Sequence, residues 1–313
     1  MHITLLKKIV VIFVLGTITL NGCAEKESRE IYDRAGRKTE IQGPINRIVS
    51  TAPSNTEIIV DLGLADKLVA IDRHSVNIRV LRSNAASMDG YPEIPAGLPL
   101  LDFFYPDAEL IVRLKPDIII ASGHNTTGSG DDPFRLLGEM GIPVVYIPMS
   151  RSIDDIYKDI AFIADLLSMQ HKGEEVIKTM KAEIAEITQR TAFIENKTTV
   201  YFEISAAPEM ISFGRDSFLD DMISAIGARN IFANDNWIVS PGAESIIERN
   251  PDVILTSVNY IDDPIGEIKS RPGFEHINAV INNRVYQIDT DSSVRSSARI
   301  TLALRQMSYA VYP

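Results

Sequence analysis

The side chains best suited to hold a small solute are two arginines, Arg215 and Arg295, and two histidines, His74 and His124. With them stand the polar or aromatic Asn125, Trp237, Tyr260 and Phe103. Guanidinium groups match carboxylate-rich or otherwise anionic ligands. An imidazole nitrogen can serve as an axial donor to a haem iron, although a single loop histidine is more often simply solvated. Phe103 and its neighbours Phe104 and Tyr105 read equally well as core. The five histidines fall into no zinc or manganese spacing, so no metal centre and no cofactor are expected. His-Glu-x-x-His, Gly-x-Ser-x-Gly and Gly-x-x-x-x-Gly-Lys are absent. The loop Gly123 to Gly130 lacks the lysine of a phosphate loop and runs into Asp131 and Asp132, which repel phosphate. It reads as the rim of a cleft. No catalytic residue is expected; the pattern is that of a binder, not an enzyme.

One more side chain carries chemistry: Cys23, the only cysteine. It closes a stretch with Lys7 and Lys8 followed by an apolar run from Ile9 to Leu20. A basic start, a short apolar core and small residues before a cut describe an export signal over residues 1–22. The run is too short to span a bilayer comfortably. Leu20-Asn21-Gly22-Cys23 resembles a bacterial lipobox, with Asn at a position where Ala or Ser is usual. That resemblance implies cleavage before Cys23 and a lipid on its thiol; an ordinary signal with an incidental cysteine is the alternative. Residues 23–43 then read as lipid tether and entry segment, Glu25 to Glu30 being short, charged and polar. The formal net charge of −11 argues against nucleic acid and against broad docking on anionic lipid.

The elements that must position these groups alternate. Strand-like runs occur at 47–51, 67–72, 117–123, 143–149, 199–204, 252–257 and 284–289, with helical stretches at 55–62, 131–140, 217–226 and 294–311. Short apolar strands alternating with helices predict parallel sheets covered on both faces. From Ser152 to Glu195 the alternation stops. Ser152 to Asp155 suits a capping box, and Ile156, Ile160, Ile163 and Leu167 share one helical face. A second helix carries Val176, Met180, Ile184 and Ile187. Such a long helix reads as a strut between two α/β lobes, or as a helical hairpin within one large domain. The chosen division is an N-terminal lobe at 44–170, a connecting helix at 171–196 and a C-terminal lobe at 197–313. Ser54-x-x-Glu57 also reads as a capping box and needs no other role.

An internal repeat supports two related lobes. Pro106 to Ser122 matches Pro241 to Ser257 in constant register, with identities at Pro106/Pro241, Ala108/Ala243, Glu109/Glu244, Ile111/Ile246, Pro116/Pro251, Asp117/Asp252, Ile119/Ile254 and Ser122/Ser257. Each copy reads as a helix opened near a proline, stopped by Pro-Asp, then a buried strand. Continued in register, the repeat pairs His124 with Asn259 and Asn125 with Tyr260, on opposing lobes near the strand ends where open parallel sheets place ligands. His74, Arg215, Trp237 and Arg295 likewise flank strand or helix ends.

In order and spacing, several motifs together resemble the substrate-binding lipoproteins of ABC importers for ferric siderophores, haem and cobalamin. They are Asp33-Arg34-Ala35-Gly36-Arg37, Arg47-Ile48-Val49-Ser50, Ser54-Asn55-Thr56-Glu57 with Leu62-Gly63, and Leu114-Lys115-Pro116-Asp117. Gly214-Arg215-Asp216-Ser217-Phe218, Arg249-Asn250-Pro251-Asp252 and Arg284-Val285-Tyr286 complete the set. The resemblance implies two α/β lobes with mainly parallel sheets joined by a rigid helix, of the class III periplasmic-binding-protein type, with a ligand held between them and little closure. It implies an extracytoplasmic, lipid-anchored, monomeric protein that hands a metal chelate to a permease and its ATPase. It further implies one docking glutamate per lobe, matching Glu109 and Glu244; a carboxylate in a helix's first turn also suits the helix dipole without any partner. Two arginines in the suspected cleft rank an anionic ferric chelate first, with cobalamin and haem as alternatives. A lipid-anchored sensor, an adhesin or an enzyme on the same fold are the readings from other classes.

Overall fold

The computed structural model of the chain describes residues 28–79, 94–102, 105–123 and 131–313. Cys23, Phe103, His124 and Asn125 lie outside these residues. The first described element is a hairpin: β1 (Ser28–Tyr32) and β2 (Lys38–Gln42) pair antiparallel. Asp33 closes its turn by accepting from the N–H groups of Ala35 and Arg37, and its second oxygen accepts from the N–H of Tyr146 at 3.0 Å. Arg34 adds an ion pair to the buried Asp159 at 2.6 Å. From Ser28 onward the chain is therefore docked structure, and the hairpin forms the described part of the segment read as tether and entry. The strand signal is weak because Ile41 is the one fully buried side chain in the two strands.

The N-terminal lobe continues with β3 (Ile48–Ser50), α1 (Pro53–Asp61), β4 (Leu68–Asp72), β5 (Leu100–Leu101), α2 (Ala108–Leu114), β6 (Ile118–Gly123), α3 (Arg135–Glu139) and β7 (Val144–Pro148). Its sheet has the order β5-β4-β3-β6-β7 with every pair parallel. Two helices follow, α4 (Ile153–Leu166) and α5 (Gln170–Thr191). The C-terminal lobe holds β8 (Thr199–Glu203), β9 (Ser212–Phe213), α6 (Phe218–Ala225), β10 (Arg229–Asn230), β11 (Ile238–Val239), α7 (Ala243–Arg249) and β12 (Val253–Thr256). It ends with α8 (Pro264–Ser270), α9 (Asn278–Ile281), β13 (Val285–Gln287), α10 (Thr290–Val294) and α11 (Ile300–Val311). Its parallel sheet runs β10-β8-β12-β13, and β9 and β11 form a small antiparallel ribbon.

The duplicated segments fold alike. α2 leads into β6 and α7 into β12, and the helices end on left-handed residues at matching places, Lys115 (φ 46°) and Asn250 (φ 43°). At each Pro-Asp corner the carboxylate holds the start of the neighbouring strand. Asp117 accepts from the N–H groups of Asn46 and Arg47, and Asp252 from the N–H of Thr199 at 2.9 Å. The sheet orders β4-β3-β6-β7 and β10-β8-β12-β13 correspond strand for strand.

α5 has 22 residues, about 33 Å at 1.5 Å per residue. It packs on α4 at one side and on α6 and α11 at the other. A Cβ at Gly173 would come within 2.5 Å of the Ala164 Cβ, so only glycine lets α5 lie this close to α4. One apolar core runs from Ile58, Ile160 and Ile163 through Met180 and Ile187 of α5 to Leu219, Met222, Ile300, Leu304 and Val311. Each lobe has a separate apolar layer on the other face of its sheet. Among the described residues no helix is long and apolar enough to cross a membrane. The helix expected at 294–311 is broken: α10 ends at Val294, Arg295 is extended, and α11 begins at Ile300.

Candidate functional site

Parallel strands send all their carboxyl ends the same way, and ligands bind there. In the N-terminal lobe these ends deliver His74 after β4 and Arg151 after β7. In the C-terminal lobe they deliver Ser205 after β8, Tyr260 after β12 and Arg295 after β13. The two sets meet. The Arg295 Nη2 donates to the carbonyl of His74 at 3.0 Å, and the Arg151 guanidinium lies over the Trp237 ring, 4.9 Å from its centroid.

The first crossing is an ionic junction centred on Glu57. Its side chain, in the middle of α1 just before Ile58, Ile59 and Val60, is fully buried. It accepts from Arg295 Nη1 at 2.9 Å, from Arg299 Nη1 at 3.2 Å and from the hydroxyl of Ser297. Arg295 also pairs with Asp291 at 2.6 Å. Burial raises the Asp291 carboxyl above its ordinary range, with Arg295 pulling it down and Asp289 pushing it up. Burial likewise raises Asp72, whose oxygens accept from the Ser75 hydroxyl and the His74 N–H.

This geometry corrects one sequence reading and bears on another. Glu57 does not close a capping box: α1 is capped at Ala52 without a side-chain bond and opens on Pro53. Arg295, expected as a ligand contact, is paired with Glu57, which it shares with Arg299, and with Asp291. Ser152 does cap α4, accepting from the Asp155 N–H at 3.0 Å. The Asp155 carboxylate reaches back to the Arg151 N–H at 3.1 Å. Burial opposes ionisation of Asp155, but that N–H, Lys158 and Arg34 outweigh it and hold the carboxyl low.

The C-terminal wall is built by two strands of backbone zipped together. Arg215 and Asn236 form an isolated parallel bridge, and the Arg215 Nε donates to the Asn236 Oδ1. Trp237 is half-buried, with Phe213 edge-on at 6.1 Å. Tyr260 is exposed; its hydroxyl accepts from the Ala206 N–H at 2.9 Å. The His74 and Arg215 side chains are exposed. Large apolar side chains near these ends are also exposed: Val76 and Met149 in one lobe, Ile238 in the other. Among the described residues no group of three or more His, Cys, Asp or Glu is placed to hold a metal.

Glu109 and Glu244 sit in the first turns of α2 and α7, at matching places in the two lobes, and both are exposed. Sequence reasoning missed Arg151, Ser297 and Arg299. Arg151 follows a strand end just as His74 does, so that signal was available; Arg299 has no local signal, because its partner lies 242 positions away.

A family described as periplasmic binding protein matches residues 48–292. The ABC transporter substrate-binding lipoprotein YvrC of Bacillus subtilis is 27% identical over 96% of this chain and 95% of its own length. The vitamin B12-binding protein of Vibrio campbellii is 24% identical over 85% of this chain and 89% of its own. Among solved structures, a possible iron-binding (periplasmic solute-binding) protein of Staphylococcus epidermidis shares 30% identity. It superimposes with a TM-score of 0.71 over 86% of this chain and 99% of that one. These similar proteins are solute binders rather than enzymes.

Proposed function

The chain belongs to the periplasmic binding protein family, and from that premise we propose that it is the extracytoplasmic, lipid-anchored substrate-binding protein of an ABC importer. It captures a metal chelate between its lobes, most readily an anionic ferric chelate, and delivers it to a permease and ATPase. The observation that carries this reading is the meeting of two duplicated parallel sheets at their carboxyl ends, with Arg151, Arg215, Trp237 and Tyr260 at the junction. The relationship to the lipoprotein YvrC supports a lipid on Cys23, and Cys23→Ser would then release the protein from the membrane. Glu109 and Glu244 are the docking groups for the permease, one per lobe.

Exposed Tyr260, Ile238 and Met149 favour a second ligand class, a broad apolar macrocycle such as cobalamin, in keeping with the relative that binds vitamin B12. Trp237 is the only tryptophan, so its emission discriminates between the two. Titration with ferric citrate, haem and cyanocobalamin should give saturable quenching with a ferric chelate. Tight binding of cyanocobalamin alone would reassign the ligand, and no saturable response to any of the three would overturn the reading. Since Arg295 is spent on Glu57, Arg215→Ala is the cleaner test of the C-terminal wall: it should weaken an anionic chelate while leaving stability unchanged.

A further inference from the structure

Arg151 and Trp237 come from different lobes and touch only because each is held in place. Trp237 has φ 52°, a left-handed conformation that bulky residues adopt only where their surroundings over-determine it. Here they do. Gly214 donates to the Trp237 carbonyl at 2.7 Å, Trp237 to the Arg215 carbonyl at 2.9 Å, and Arg215 to the Asp235 carbonyl at 2.8 Å. A Cβ at Gly214 would lie 2.0 Å from the Asp235 carbonyl oxygen, so only glycine allows this closure. From the other side, the Asp155 carboxylate fixes the backbone of Arg151.

No described residue neutralises the charge of Arg151 at the crossing, in contrast to Arg295 and Arg299 there. Arg34, Arg271, Arg295 and Arg299 all spend their guanidinium groups on buried carboxylates. Among the described residues no carboxylate forms an ion pair with Arg151; its guanidinium rests on the indole face. A cation–π contact at an exposed site is weak, and a charge-assisted hydrogen bond to an anion is stronger. The contact is thus readily exchanged.

We propose that Arg151 is a specificity-determining residue: it bridges the lobes over Trp237 in the ligand-free protein and leaves the indole to bind a carboxylate or other anionic oxygen of the incoming ligand. This rests on the solute-binding reading above. Arg215, beside Trp237 on the opposite lobe, would meet the same ligand from the other side, which selects solutes with anionic oxygens on two sides.

The test uses the intact protein and its single indole. Without ligand, Arg151→Ala should uncover Trp237 and raise its quenching by acrylamide about twofold; unchanged quenching overturns the bridge. Ferric citrate and haem are the anionic probes and cyanocobalamin the probe without a comparable anionic face. Arg151→Ala should weaken whichever anionic probe the wild type binds by about tenfold. Arg151→Lys, which keeps the charge but not the planar fork, should recover only part of that loss. Equal affinity of wild type and Arg151→Ala for an anionic probe overturns the exchange while the importer reading stands. Wild-type protein that takes only cyanocobalamin also overturns it, and protein that takes none of the three removes the solute-binding reading as well.

Discussion

Glu57 shows how one residue changes meaning between sequence and structure. Read locally, Ser54-x-x-Glu57 is a capping signature; in the fold, the carboxylate is fully buried and answers two arginines and a serine from the far end of the chain. A buried carboxylate is tolerated only when paired and hydrogen-bonded, and taking away one member strands the others. Glu57→Ala should therefore lower the unfolding free energy by about 3–5 kcal/mol, read from urea unfolding, and Glu57→Gln should cost less because it keeps the shape and an acceptor for Ser297. A loss no larger than that of an exposed glutamate would contradict the junction. Its illegibility is physical. Arg295 lies 238 positions from Glu57, and no helical or strand period reports a contact at that distance. The same holds for Arg151 and Trp237, whereas the capping role of Ser152, set by three neighbouring residues, could be read directly.

Elements were more legible than contacts, because their signals are local. The strands at 118–123, 144–148, 199–203 and 253–256 follow from apolar runs bounded by prolines and charges, and the repeat exposed the shared unit before any contact was known. What remained hidden was the hairpin at 28–42, whose polar strands bury little, and the break at Arg295, where no helix-breaking residue stands and the side chain turns to Glu57. The repeat has an energetic consequence at its Pro-Asp corners. Burial raises the Asp252 carboxyl, but hydrogen bonds from Thr199 and Asn278 outweigh it and hold the folded-state value below the ordinary 3.8. A depressed carboxyl stabilises the fold fully above the unfolded value and loses that contribution as the pH falls through the folded one. Asp252→Asn should thus cost about 1–3 kcal/mol near neutral pH, and the gap to wild type should narrow as the pH falls through the depressed folded-state value of Asp252; a gap constant with pH would show that the charge is irrelevant. The matching first turns of α2 and α7 carry the other element-scale expectation. A single exposed ion pair contributes at most about 1 kcal/mol, so Glu109→Ala or Glu244→Ala alone should do little. The double variant should cut uptake by cells sharply with ligand affinity intact, and an equal fall in affinity would make these residues ligand contacts instead.

At the scale of the whole molecule the question is how far the lobes can move. Large hinge closure needs a few connecting residues that absorb dihedral change while each lobe keeps its own core. Here the connection is α5, helical from Gln170 to Thr191, seated on α4 of one lobe and on α6 and α11 of the other. The apolar core passes through it without interruption, so rotating one lobe would expose packed side chains such as Met180, Ile187 and Leu304. Interiors at crystalline packing density resist such shear. The Glu57 junction would have to part as well, leaving a buried charge unpaired. Against these terms an incoming solute gains contacts mainly with the exposed strand-end residues, and those can respond through side chains alone: Arg151 can leave Trp237 without any change in α5. Small-angle scattering profiles of ligand-free and loaded protein should therefore superimpose, with an unchanged radius of gyration, even as Trp237 emission reports full occupancy. Glu57→Ala supplies the contrast, since cutting the junction while keeping the shared core should loosen the lobes without separating them. A resolved fall in the radius of gyration of wild-type protein on loading would mean that the core shared through α5 yields, and that the helix is a hinge and not a strut.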